Sequence, residues 1–185
     1  PALPSAEEES IYLAMASGVN TNNYFGEDAS KEKVIELLED SFERIHFGTH
    51  ALPPYWNGIS PDTSLLLSSE EGDFLLTSSE ISSLDIKSDV VILASCNSST
   101  DGFDSLYKSF LVAGSNSVIY TNWDLETNSG KFVTEELFKI MWLQEDLPLH
   151  EALRRAVLKV KGNLEKSEFI SPSFWANFSI SYSSI

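Results

Sequence analysis

Asp89-Val90-Val91-Ile92-Leu93-Ala94-Ser95-Cys96 is a short apolar run, rich in β-branched residues, that ends in the single cysteine of the chain. A run of this length without polar alternation predicts a strand covered on both faces, as in the middle of a parallel sheet. On open α/β sheets the reacting groups collect just beyond the carboxyl ends of the strands, and Cys96 falls at that point. Upstream, Glu43-Arg44-Ile45-His46-Phe47-Gly48-Thr49 is a second strand-like segment and leads into His50. As parallel neighbours, the two strands would deliver a thiol and an imidazole to the same edge of one sheet. Hydrolysis by a cysteine nucleophile needs that pair.

Outward from it, strands alternate with helices. Glu7 to Ala16 predicts a first helix, with Ile11, Leu13, Ala14 and Met15 as its apolar positions. The Asn-rich stretch from Gly18 to Gly26 predicts a short strand or loop around Tyr24-Phe25. Ser30 is placed to cap a helix running through Val34, Leu37, Leu38 and Ser41. Leu52 to Gly58 reads as a loop from its prolines and glycine. Leu65-Leu66-Leu67 and Phe74-Leu75-Leu76 flank Glu70-Glu71-Gly72-Asp73, which predicts a hairpin. Thr77-Ser78-Ser79-Glu80 has the capping-box pattern and predicts a short helix through Ile81 and Leu84. Phe103, Leu106, Phe110 and Leu111 make a helical stripe that stops at Gly114. Val118 to Trp123 predicts another buried strand. Two amphipathic helices are expected from about Ser129 to Trp142 and from about Leu149 to Lys161. Ser171-Pro172 breaks the chain before a final strand expected over Phe174 to Tyr182. The alternation predicts one α/β domain over residues 1–185, with a mainly parallel central sheet of about six strands and helices on both faces.

Composition narrows the function classes. The chain has 185 residues, enough for one domain with a real core, and 42% hydrophobic and 11% aromatic content, above the range of disordered chains. The formal charge of −16 argues against nucleic acid or an anionic membrane as partner and favours a basic peptide or protein. One cysteine excludes an internal disulfide and suits a reducing compartment, so a cytoplasmic location is expected. No apolar run is long enough to span a membrane and no signal peptide is present. The chain begins Pro1-Ala2-Leu3-Pro4 without an initiator methionine, which predicts a domain excised from a longer protein.

An ordered series of motifs resembles one family. His46-Phe47-Gly48-Thr49-His50 is similar to the histidine motif of the CHAT domains, and Leu93-Ala94-Ser95-Cys96 to their nucleophile motif. Leu3 to Glu9 and Phe25 to Ser30 precede them in the expected order. Ala113-Gly114-Ser115-Asn116-Ser117-Val118-Ile119, Trp123-Asp124-Leu125, Ala152-Leu153-Arg154-Arg155-Ala156 and Pro172 to Phe178 follow. CHAT domains are caspase-like cysteine proteases related to separase and often joined to tetratricopeptide repeats. The resemblance therefore implies a caspase-like three-layer sandwich, a peptide or protein substrate, and repeat or other domains as partners. The sequence has no Gly-rich phosphate loop, lysine-bearing motif or dinucleotide fingerprint, so no cofactor is expected. The chain departs from the family pattern at Asn97, Ser98 and Ser99 after the cysteine, at Ala51 after the histidine, and at Glu126-Thr127 after the tryptophan. These departures keep a catalytically inactive interaction module in a signalling or defence complex as the alternative.

Peptide hydrolysis by cysteine needs a thiolate, a proton donor for the leaving amine and donors for the developing oxyanion. Cys96 is the expected nucleophile and His50 the expected general acid and base. The backbone N–H groups of Gly48 and Cys96 are the expected oxyanion donors. Against this stands the plain reading of Cys96 as a small buried core residue. Asp124 and Glu126, beyond a buried strand, are expected to receive a basic side chain next to the scissile bond; otherwise they are solvated loop charges or helix N-terminal charges near Asn128. Trp123 is either a pocket wall or a core aromatic. His46 and His50 lie roughly 13 Å apart on a strand, too far to share a metal, so His46 is read as structural and no metal is expected.

Overall fold

A computed structural model describes residues 4–17, 21–68, 72–95, 105–123, 127–162 and 172–184. In chain order it contains α1 (Pro4–Ser17), α2 (Lys31–Leu38), β1 (Arg44–Phe47), β2 (Ala51–Leu52), β3 (Ser64–Leu66), β4 (Leu75–Thr77), α3 (Ser78–Ser82), β5 (Val90–Leu93), α4 (Leu106–Val112), β6 (Ser117–Thr121), α5 (Thr127–Leu143), α6 (Leu149–Lys161), α7 (Pro172–Trp175) and β7 (Phe178–Tyr182). Single 3-10 turns lie at Gly26–Asp28 and Trp56–Gly58.

The elements fall into two units, Pro1–Asn23 with Leu125–Phe178 and Tyr24–Asp124 with Ser179–Ile185. The second unit carries the sheets. Its larger sheet has the order β1-β5-β6-β7. β1 pairs parallel with β5, and β5 pairs parallel with β6. Asn122 donates to Ser179 at 2.8 Å, and Ser183 N–H donates to the carbonyl of Asn116 at 2.9 Å, so β7 runs back antiparallel along β6. The smaller sheet, β2-β3-β4, is antiparallel throughout.

Every residue of β5 is buried, as its unbroken apolar sequence requires. Val91, Leu93, Phe47 and Val118 share one core cluster with Val34 and Leu38 of α2, Ile81 of α3, and Leu106 and Phe110 of α4. The rings of Phe47 and Phe110 meet at 5.5 Å between centroids. Val90, Ile92 and Ile119, of opposite parity, are buried as well. This mixed α/β architecture with a mostly parallel sheet is the one expected of a caspase-like sandwich. In the helical unit, α5 packs on α1, α6 and α7. Its buried apolar residues are Val133, Leu137 and Met141, and α6 buries Ala152, Leu153, Ala156 and Val160. No helix among the described residues is long and apolar enough to cross a membrane.

Several expectations change. The single sheet of about six strands is replaced by two sheets of four and three strands. The segment after His50 starts as strand rather than loop, because Ala51 and Leu52 pair with Leu65 and Ser64. The helix capped by Ser30 ends at Leu38 instead of Ser41, since Ser41 is drawn into a parallel bridge with Lys87. Of the two alternatives at Tyr24-Phe25 the structure has the loop, which leads into the 3-10 turn. Phe174 belongs to α7, which starts on Pro172, and the last strand begins only at Phe178. Proline at a first helical position has its φ preset for the turn. The tip of the predicted hairpin at Glu70-Glu71, and Phe103 of the predicted helical stripe, lie outside the described residues.

Candidate functional site

β1 and β5 are aligned by the pairs His46↔Ile92 and Phe47↔Leu93, and β5 and β6 by Ile92↔Ile119. Side by side in one row thus stand His46, Ile92 and Ile119. Counting four residues beyond each gives His50, Cys96 and Trp123. The carboxyl ends of three adjacent parallel strands lead to these positions. That alignment depends on pairing between segments far apart in the chain.

The leads into positions 50 and 96 are held on both flanks. Ala94 N–H donates to the Phe47 carbonyl at 3.0 Å, which extends the β1–β5 ladder one residue past the strands. On the other side of β5 the hydroxyl of Thr121 donates to the carbonyl of Ser95. Ser95 is 1% exposed and is the last described residue before the cysteine. Cys96 and the loop Asn97 to Gly102 lie outside the described residues, as do Asp124 and Glu126.

His50 stands between two sheets. β1 ends at Phe47, Gly48 and Thr49 follow, and β2 starts at Ala51. The hydroxyl of Thr49 donates to the carbonyl of Leu66, and Leu66 N–H donates back to the carbonyl of His50 at 2.9 Å. The histidine backbone is therefore tied to β3 on one side and continues from the central sheet on the other. Its ring is half-buried, and Nε2 is buried with no hydrogen-bond partner among the described residues. A buried ring nitrogen left in that state is costly unless something is to occupy it.

Gly48, the expected oxyanion donor, is half-buried in the short connection between β1 and His50. Trp123 is 40% exposed, which excludes the core reading and leaves it as a surface aromatic at the sheet edge. His46 is half-buried within β1. Among the described residues no group of three or more histidine, cysteine or acidic side chains is arranged to hold a metal. The sequence reading missed Thr49, Leu66 and Thr121 as the residues that hold the backbone at the site. A threonine directly before a candidate histidine was the only local signal, and the partners of its hydroxyl are set by tertiary pairing.

Set against known protein families, the profile of the CHAT domain matches residues 1–183. No curated protein matches the chain.

Proposed function

The chain belongs to the CHAT domain family, a caspase-like family related to cysteine proteases, and on that premise we propose that it is a cysteine endopeptidase working through Cys96 and His50. The observation that supports it best is the strand register, which counts His50 and Cys96 equally far beyond the aligned pair His46↔Ile92. The buried, unpartnered Nε2 of His50 is the nitrogen left to exchange a proton with the thiol.

In this reading His50 takes the thiol proton, and the thiolate of Cys96 attacks the scissile carbonyl carbon. The N–H groups of Gly48 and Cys96 hold the oxyanion. The C–N bond breaks as His50 returns the proton to the leaving amine, which leaves a thioester. His50 then removes a proton from water, the hydroxide adds to the thioester, and the acid departs as the thiol is restored. Asp124 and Glu126 bind a basic residue before the scissile bond, with Trp123 as a wall beside it. The unit that contains His50, Cys96 and Asp124 has 17 acidic against 5 basic side chains, a net −12 of the total −16, which favours the same substrate class. A cytoplasmic setting and regulation by tetratricopeptide or other partner domains complete the proposal.

The test is the reactivity of Cys96 against pH, in the wild type and in His50→Ala. The expected outcome is fast alkylation by iodoacetamide well below the ordinary thiol pKa of about 8.5, lost in the variant. Slow alkylation that is the same in both would sink the dyad. It would favour the second reading, an inactive interaction module, which Ala51 and the Asn97-Ser98-Ser99 sequence support.

A further inference from the structure

We propose that the loop joining β2 to β3 is a subsite that takes an apolar side chain of the peptide substrate, three to five residues from the scissile bond. The inference rests on the peptidase reading for the identity of its ligand. Tyr55, Trp56 and Ile59 are 72%, 40% and 53% exposed at the tip of this loop. Three large apolar side chains are thus exposed within five positions of one short loop, a density that favours a binding surface over chance exposure. No charged residue lies between Arg44 and Asp62, although the unit as a whole is strongly acidic.

The loop is built, not loose. Tyr55 N–H donates to the Ser60 carbonyl at 2.6 Å, Trp56 N–H to Pro53 at 3.2 Å, Gly58 N–H to Tyr55 at 2.9 Å and Ile59 N–H to Trp56 at 3.1 Å. Among the described residues Tyr55 is the one non-glycine with positive φ, at 59°. A tyrosine held in the left-handed region is strained, and such strain persists where the surroundings impose it, often at ligand-binding positions. The backbone thus presents the three side chains to solvent in a fixed arrangement at a cost to the fold.

The loop is also continuous with the candidate site. β2 begins at the residue after His50, and β3 is latched to Thr49 and His50 through Leu66. Tyr55 is five steps along the chain from His50, which caps the distance at roughly 17 Å of extended chain. An extended bound peptide advances about 3.3 Å per residue. An apolar residue three to five positions from the scissile bond, roughly 10–17 Å along an extended peptide, falls within that limit while the basic residue occupies the cleavage position.

The test is binding, measured by fluorescence anisotropy on the Cys96→Ala protein so that no turnover intervenes. The probes are peptides with one arginine in a Gly/Ser background and one phenylalanine walked outward from it on either side. The expected profile has a maximum with phenylalanine three to five residues from arginine, roughly tenfold tighter than alanine at the same place. That maximum should vanish in Trp56→Ser/Ile59→Ser and in Tyr55→Gly. Glycine relieves the positive φ, so loss of the maximum in Tyr55→Gly is not unfolding. A flat profile overturns the proposal, as does a maximum that survives both variants. Self-association of the protein that the variants abolish, together with a flat profile, would assign the patch to a second copy instead. The readout does not use the thiol, so a failed His50→Ala experiment and a failed subsite give different results.

Discussion

Lys31 is the least expected residue of the sheet-bearing unit. Its ammonium lies 2.7 Å from Asp73 and 2.7 Å from Glu80, and its side chain is 7% exposed against 68% and 42% for theirs. It joins the start of α2 to the end of the hairpin turn and to α3. Burial lowers the Lys31 pKa, but the hydrogen bonds to Asp73 and Glu80 outweigh that and hold it above the ordinary value. Burial raises Glu80, but the hydrogen bonds from Lys31 and from Thr77 N–H and hydroxyl outweigh that and hold it below. The Glu80 contribution is present above the ordinary carboxylate pKa and is lost as pH falls through its depressed value. The Lys31 contribution is present below the ordinary ammonium pKa and is lost as pH rises through its raised value. Lys31→Met should therefore destabilise the fold at neutral pH by about 1–2 kcal/mol, the low end for charged hydrogen bonds because both carboxylates regain water. The wild type should also lose more stability than the variant on acidification. Urea titrations at neutral and acid pH measure both, and equal acid slopes would remove Glu80 from the account.

At the scale of elements, the capping box of α3 was legible residue by residue. Thr77 accepts from Glu80 N–H at 3.2 Å and Glu80 accepts from Thr77 N–H at 2.9 Å. Such motifs use neighbours within one turn, so spacing alone encodes them. Thr77→Ala should cost about 1 kcal/mol, read as a lower urea midpoint at unchanged slope. The turn after α4 was legible only in part. Gly114 has φ of 117°, and a Cβ there would sit 2.7 Å from the carbonyl oxygen of Ile86. The two segments are held close there, because Ile86 N–H donates to the Ala113 carbonyl at 2.8 Å. Gly114→Ala should cost upwards of about 2 kcal/mol through strain and collision together. Gly26→Ala, with φ of 53° and open space around it, should cost clearly less. A stop signal at Gly114 was visible in the sequence; the backbone approach that makes the glycine necessary comes from a segment 28 positions upstream. The same holds for β2, whose two residues carry no strand signal and extend only because β3 is beside them.

Across the whole molecule, charge is unevenly shared: the unit with the sheets holds a net −12 and the helical unit −4. Self-repulsion of that size predicts thermal stability that rises when salt is added from low ionic strength, since the screening length shrinks to about 10 Å at about 0.1 M. A melting temperature independent of salt would contradict it. Binding of an arginine peptide should weaken over the same range, and Asp124→Asn/Glu126→Gln should remove much of that dependence. What the sequence by itself determined is local or periodic: the buried run Val90 to Leu93, the cap at Ser30, the box at Thr77-Glu80, the bounds of α6, and the ordered motifs that mark the family. Each rests on spacing along one segment, where side-chain period and hydrogen-bonding reach suffice. Only the tertiary structure decided the split into two sheets, the row that leads to His50, Cys96 and Trp123, the Thr49–Leu66–His50 latch and the burial of Lys31. These depend on which distant segments lie side by side, and that choice is made by the packing of the whole core.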